Sequence, residues 1–334
     1  MRNKRPHGND GADATRRLGH SVLEVLVAIG ILGLLAALLL PAVQHSRESS
    51  RNVLCKSNLK QMGLAAQAFH ETHKSLPDSD EYNIALLPFL DQAALADLIR
   101  ESSGPGGDRQ RLDQLAPRHL PVYVCPSDNW RVYSNSGIGP CQYLINAGSA
   151  FPRYYGNGIR KGGRNLKFSE ITDGLSQTAL FAERLAVYSR LLSAERIPVS
   201  QREPIRFQFY IDRDFFERGR EEEFAEHCLN PDHHLTHLGG ANHADSGMWC
   251  YYCVTGPSNG YDHMLPPNRI GCFRGGPFPN DTGGSASAPA TSLHPGGVNV
   301  VFCDGSVRFI ADGVDRRIWR ALGSRAGNEA VSSL

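Results

Sequence analysis

The sequence predicts an α+β protein. One long N-terminal helix, half membrane anchor and half amphipathic, packs on a C-terminal antiparallel β-rich globular head. Three observations carry that prediction. An apolar run with no charged or hydrogen-bonding side chain extends from Val25 to Leu40. A helical stripe follows it between His45 and Lys74. Short β-rich runs separated by turn residues fill the remainder, in keeping with 34 glycines and 20 prolines.

Composition sets the outer bounds. A chain of 334 residues, 41% hydrophobic and 21% charged, can bury a sizeable core besides the anchor. Its net charge of +1 offers no field for nucleic acid or anionic substrates, so no nucleic-acid partner is expected. Eight cysteines suit a head delivered outside the cytoplasm, where disulfides persist.

Residues 1–19 read as a basic leader peptide, with Arg2, Lys4, Arg5, Arg16 and Arg17 against Asp10 and Asp13. Residues 20–43 read as the transmembrane segment, since Val22 to Val43 makes a helix of about 30 Å, the thickness of a bilayer's hydrocarbon core. The basic flank keeps the N-terminus cytoplasmic and sends the rest outward. The expectation is a single-pass inner-membrane protein with its head in the periplasm or at the cell surface. Glu24 is unusual in a simple anchor, because a carboxylate costs about 2.5–3.5 kcal/mol at mid-helix and less near the interface. A secretory signal peptide would want small residues before its cut, and Leu40-Pro41-Ala42 supplies a leucine there.

Residues 44–75 continue the helix. Cys55, Leu59, Met62, Ala66, Phe69 and His73 recur at alternating spacings of four and three, which puts them on one face. Pro41 removes one backbone bond and is expected to bend the helix near the interface. Gly63 costs about 1 kcal/mol against Ala without breaking the pattern. Leu76-Pro77 ends the helix and opens the head, residues 76–334. Within it, Ile84 to Ile99 predicts a short helix, Val122 to Asp128 a strand running into a turn, and Tyr143 to Asn146 a strand. Ile171 to Thr178 is turn chemistry leading into the strand Ala179 to Glu183. Ile205, Phe207, Phe209 and Ile211 alternate with polar residues, as in a half-buried strand. Arg218 to Glu223 reads as a solvated charge run, His227 to His263 as a loop-rich insertion, and Arg274 to Ser292 as a low-complexity surface loop.

Near the C-terminus, Asp304-Gly305 lies between two β-rich runs, a strong hairpin signal. A two-residue loop there would pair Cys303 with Ser306, Phe302 with Val307 and Val300 with Phe309. Val298, Val300, Phe302, Val307 and Phe309 would then share one face.

Two resemblances follow from these residues. Gly19-His20-Ser21-Val22-Leu23-Glu24 ahead of the apolar run resembles the class III signal of type IV pilins and type II secretion pseudopilins. That likeness implies a pilin-like fold, cleavage by a prepilin peptidase between Gly19 and His20, and N-methylation of His20. It also implies assembly with other pilin-like subunits, in which Glu24 meets a neighbour's terminal amine. His20 departs from the usual phenylalanine. The second resemblance is to a large bacterial family of pilin-like proteins known as domain of unknown function 1559. It rests on four segments. Arg47-Glu48-Ser49-Ser50-Arg51 leads to Cys55 and Asn58-Leu59-Lys60-Gln61. Cys125-Pro126-Ser127-Asp128 is the second. Asp173-Gly174 with Ser176, Thr178 and Glu183 is the third. His294 followed after nine residues by Asp304-Gly305 is the last. Ser49, Ser50 and Ser57 depart from that pattern.

Candidate chemistry is sparse. Histidines and cysteines crowd between His227 and His263, and Cys250-Tyr251-Tyr252-Cys253 has the spacing of a zinc half-site or redox pair. His233, His237, Cys250 and Cys253 are the metal candidates, set against disulfides plus exposed histidines, and no metal site is assigned. Cys125 and Cys141 flank a Gly-, Ser- and Asn-rich loop and are the first disulfide pair expected, with Cys250 and Cys253 as further candidates; closing that loop is worth about 3 kcal/mol in the chain-entropy model. No serine sits in a Gly-x-Ser-x-Gly turn. His294 and Asp304 fall at opposite ends of one strand, about 30 Å apart if extended. No enzyme activity and no cofactor are therefore expected. The reading is a non-enzymatic pilin-like subunit of a cell-envelope filament or secretion-type assembly. The alternative is a membrane-tethered binding protein using the His/Cys-rich segment, and Glu24 separates the two.

Overall fold

The computed structural model describes residues 22–77, 81–103, 106–115, 119–128, 140–150, 156–159, 165–185, 205, 208–211, 215, 219–230, 232, 234–236, 260–273 and 286–329. The expected leader, most of the His227–His263 insertion and most of the 274–292 loop fall outside these residues. The chain divides into two compact units, residues 1–47 and 48–334.

Helix α1 spans Val22–His73 and includes Pro41. In the first unit its side chains are exposed all round, from Val22 and Leu26 to Leu40 and Val43. Among the described residues it is the helix long and apolar enough to cross a membrane. In the second unit the same helix buries Cys55, Leu59, Met62, Ala65 and Ala66 in the main core, with Phe69 partly buried against it. The predicted stripe thus holds as far as Phe69. His73, expected to continue it, is exposed and stacks on Phe69 instead, and Lys74 leaves the helix at φ 58° with its N–H donating to the carbonyl of His70.

The region predicted as one helix from Ile84 to Ile99 is broken into three pieces. Helix α2 covers Tyr82–Ala85, a 3₁₀ turn covers Leu87–Leu90, and α3 covers Ala93–Ser103. Pro88 cannot donate to an α-helical ladder, and Asp91 turns the chain at φ 58°. A short helix α4 follows at Arg109–Leu115. The predicted strand at 122–128 is instead a 3₁₀ turn, Pro121–Tyr123, leading into extended backbone outside any ladder. Its polar groups are taken up individually: the Tyr123 carbonyl accepts from Gln142 N, and Cys125 N donates to the Gln142 side chain.

Strands β1 (Tyr143–Asn146) and β2 (Ala179–Glu183) form as predicted and are buried throughout. Strand β3, Gln208–Ile211, covers the later part of the alternating segment. The charge run at 218–223 enters helix α5, Glu221–Leu229, whose Glu222 pairs with Arg316 and Arg320. The remaining elements are β4 (His234–Thr236), β5 (Gly260–Tyr261), β6 (Gly271–Phe273), β7 (Ala286–Ser287), β8 (Gly297–Phe302), β9 (Val307–Ala311) and α6 (Arg316–Gly323).

A five-stranded sheet runs β5-β1-β2-β8-β9 and a four-stranded one β4-β3-β6-β7. Most pairs are antiparallel, but β1 with β5 and β3 with β6 are parallel, so the head is mixed and not wholly antiparallel. Two expectations about surface loops are corrected here. Residues 287–292 are buried or nearly so, and His263 belongs to the main sheet's surroundings and not to an insertion. A smaller core gathers Ile211, Phe215, Phe224, Met264 and Leu265 around a Cys228–Cys272 disulfide.

The C-terminal hairpin forms, but in a different register from the expected one. Val301 pairs with Val307, Val300 with Arg308 and Asn299 with Phe309. Phe302 N donates to Ser306 O and Gly305 N to Phe302 O, so the loop is three residues, Cys303 to Gly305. Gly305 alone of the three takes a left-handed conformation, φ 77°, which fits a turn closed by a glycine bulge. A one-residue change of register exchanges faces. Val301 and Val307 share a face, while Phe309 is left 38% exposed under Lys56.

Candidate functional site

The second unit begins at Glu48, and α1 from there onward carries the polar groups that meet the head. Glu48, Asn52 and Cys55 recur at spacings of four and three and so share one face of the helix. That face reaches a buried polar cluster contributed by four separate segments.

His294 is the centre. Its side chain is inaccessible to solvent and lies between two carboxylates. Nδ1 donates to Glu48 Oε1 at 2.6 Å, and Nε2 lies 3.2 Å from Glu183 Oε1. Nε2 is also 3.4 Å from Cys125 Sγ. Burial pulls the imidazole pKa down, but the hydrogen bond and charge of Glu183, then those of Glu48, outweigh it and hold the pKa above its ordinary value. The ring thus bridges helix and sheet with each nitrogen facing a carboxylate oxygen, an arrangement that favours the imidazolium.

Each carboxylate is held by other groups. Glu48 accepts from Ser127 Oγ at 2.9 Å and lies 3.6 Å from Arg51. Glu183, at the end of β2, accepts from Asn299 N at 2.7 Å and from Asn299 Nδ2 at 3.0 Å. Asn299 Nδ2 also donates to Asn52 Oδ1 at 2.9 Å, which closes the network back onto the helix. Beside it, Cys55 is bonded to Cys125, with a Cα separation of 5.1 Å. Closing a loop of 70 residues is worth about 4 kcal/mol in the chain-entropy model.

This overturns the expected Cys125–Cys141 pair. Proximity in sequence suggested it, but Cys141 is a buried free thiol whose pKa burial pushes up to about 12, and Cys125 faces the helix. Cys303 is likewise buried, free and raised by burial. His294 and Asp304 stand at opposite ends of β8, as their spacing implied, and do separate work. Asp304 Oδ1 accepts from Ser306 N and Oγ within the turn.

The other recognised segments also serve docking. Asn58 Nδ2 donates to the carbonyls of Pro121 and Val124, at 3.1 and 3.0 Å. Lys60 Nζ donates to Gly305 O at 2.7 Å, and Gln67 Nε2 to Cys303 O at 3.2 Å. Gly63 explains itself here: a Cβ would lie 2.7 Å from Val301 Cγ2, so the glycine admits the sheet to the helix. Glu48, Glu183 and Asn299 were not singled out as site residues from sequence. The signal available was that each of the four segments carrying the family resemblance holds at least one member of the cluster.

Gly19 and His20, the expected cleavage and methylation positions, lie outside the described residues, as do His233, His237, Cys250 and Cys253. Glu24 sits in the first turn of α1. Among the described residues one group has the makeup of a cation site: Cys55, Cys125, Glu183 and His294, with ligand atoms all within 4.8 Å of one another. A separate concavity of about 670 Å³ lies between Phe69, Ile84, Phe89 and Ile99, with Glu81 and Arg100 at its lining.

Fold and site together define an α+β head clamped to a helix by a disulfide and a buried ionic cluster, preceded by a segment able to span a membrane. No curated protein and no solved structure matches the chain. A family model described as a protein of unknown function, DUF1559, matches residues 44–317, and the chain belongs to that family.

Proposed function

We propose that this protein is a non-enzymatic pilin-like subunit, held in the inner membrane by residues 20–43 with its head outside the cytoplasm, and assembled through α1. One observation carries the reading. Between Val22 and Val43 the helix exposes aliphatic side chains on every side, and Glu24 is the sole ionisable residue among them. An anchor needs the aliphatic surface but gains nothing from the carboxylate. A subunit cleaved after Gly19 presents a terminal ammonium four residues before Glu24, and a neighbour's ammonium at matching depth pairs with it. The pairing also sets the stagger between neighbours, a register role for a buried polar contact. The charge bias upstream favours a cytoplasmic leader. Prepilin peptidase is the expected processing partner.

Glu24→Ala is expected to be cut, anchored and folded like wild type, yet to lose crosslinking to partner subunits by tenfold or more. Mass spectrometry of the mature N-terminal peptide reads the cut at His20 and its methylation. Undiminished crosslinking of Glu24→Ala sinks the assembly reading. A second reading, a membrane-tethered binding protein, is favoured by the concavity beside Phe69, whose volume falls in the range of small-molecule sites.

A further inference from the structure

We propose that the Cys55, Cys125, His294 and Glu183 cluster is a redox-gated site for a borderline-soft divalent cation of the Zn2+ type, closed by the disulfide and opened by its reduction. The site stands independently of how the anchor is used.

The donor set is the first argument. Two thiolates, an imidazole nitrogen and a carboxylate are the ligands from which tetrahedral zinc sites are built. The second is geometry. For metal–ligand bonds of about 2.0–2.3 Å, a tetrahedron has edges of about 3.3 Å between nitrogen and oxygen and about 3.5 Å between nitrogen and sulfur. His294 Nε2 already lies 3.2 Å from Glu183 Oε1 and 3.4 Å from Cys125 Sγ. No donor atom in the set is more than 4.8 Å from another. The sulfur–sulfur edge is the one that must open, because it is a covalent bond where a site needs about 3.8 Å.

The shell behind the ligands also fits a metal site. His294 offers Nε2 to the site, and Nδ1 donates at 2.6 Å to Glu48. A ligating histidine that gives its other ring N–H to a carboxylate is the usual way in which tautomer and ring orientation are set. Glu48 is oriented in turn by Ser127, and Glu183 by the main-chain and side-chain amides of Asn299. Glu48 is 25% exposed, which leaves an approach from solvent while His294 itself is enclosed.

A dithiol reductant transfers two electrons and two protons to the Cys55–Cys125 bond, giving two thiols and the oxidised, disulfide form of the reductant. The cation then displaces the two thiol protons and the proton on Nε2, which pass to solvent, while Nδ1 keeps its proton and goes on donating it to Glu48. Oxidation reverses the sequence and expels the cation. In either state a bond joins helix α1 to the head: sulfur to sulfur in one, through the metal in the other.

The test uses the full chain in detergent, reduced by a dithiol, freed of excess reductant without air, and titrated with Co2+ and then Zn2+. One equivalent is expected to bind the reduced protein, with thiolate-to-cobalt charge transfer and tetrahedral d–d absorption, and none the oxidised protein. X-ray absorption of the zinc form is expected to show two sulfur, one nitrogen and one oxygen neighbour. His294→Ala is expected to weaken binding at least tenfold, and Glu48→Gln, a positioning change, about 10–100-fold. Cys250→Ser with Cys253→Ser is expected to leave it unchanged. Reduced protein that loses its fold and regains it on adding Zn2+ supports the site. Reduced protein that takes up no metal, folded or not, overturns it, as does equal uptake by Cys55→Ser with Cys125→Ser.

Discussion

The His294 and His263 side chains are both enclosed, yet their pKa values are pushed in opposite directions. His294 lies between Glu48 and Glu183, whose hydrogen bonds and charges raise its pKa above the ordinary value. His263 is packed against the Trp319 ring, with centroids 3.9 Å apart, and against Tyr261. Its Nδ1 donates to Trp319 O at 2.7 Å, and Nε2 accepts from Tyr261 Oη at 3.0 Å. Burial lowers its pKa to about 3, against the small upward pull of the Trp319 carbonyl. The nearest carboxylate in sequence, Asp262, is occupied by Ser287, Ala288 N and Met264 N. Burial penalises charge in both places, and the partners decide the direction of the net shift. One pocket is a clamp between segments; the other is an aromatic core that tolerates a neutral ring.

The largest expected effect comes from removing the partner of the charged ring. Glu183→Ala strands an imidazolium and the Asn299 amides, and denaturant unfolding of the head is expected to lose about 3–5 kcal/mol. A loss below about 1 kcal/mol would mean that His294 is neutral and that the two pockets do not differ. Next comes acid. His263 binds a proton in the unfolded chain below its ordinary pKa of about 6.5 but not in the folded one until about 3. More protons on the unfolded state make stability rise with pH, so between those values it falls by about 1.4 kcal/mol for each unit of acidification. His263→Asn is expected to remove that slope from unfolding curves measured across the window, and an unchanged slope assigns it elsewhere.

Smaller still is Gly323→Ala. Its Cβ would stand 2.5 Å from His263 Cγ, and overpacking of this kind costs about 1–3 kcal/mol. The thermal midpoint of the purified protein reads it, and no change would show that the aromatic pocket yields freely. The smallest effect is expected from Arg51→Ala. Its pair with Glu48 is 3.6 Å long and the arginine side chain half exposed, so the change in stability should stay below about 0.5 kcal/mol. A larger loss would mean that Arg51 helps set the charge balance around His294.

Much of this was legible from residues in order. The apolar run, the stripe from Cys55 to Phe69, strands β1 and β2 and the existence of the Asp304-Gly305 hairpin all follow from local period and turn chemistry, because those act over a few residues. The hairpin register did not follow, since its three-residue loop depends on what β8 packs against as well as on the turn. Gly63 read as a mild defect in a helix, and its reason lies 238 positions away in Val301. The partner of Cys125 was misread for the same cause: Cys141 is near in sequence, whereas Cys55 is near in space.

By itself the sequence determined the helix, its two chemically different halves, the β-rich head and the segments that mark the family, all properties of neighbouring residues. Tertiary structure alone decided which of those segments meet. Glu48 and Cys55 share a helix face, but no period links them to Cys125, Glu183 and His294, and only the docking of α1 on the sheet brings the five together. A buried charge is stable only where its partners converge, and that convergence is a property of the fold.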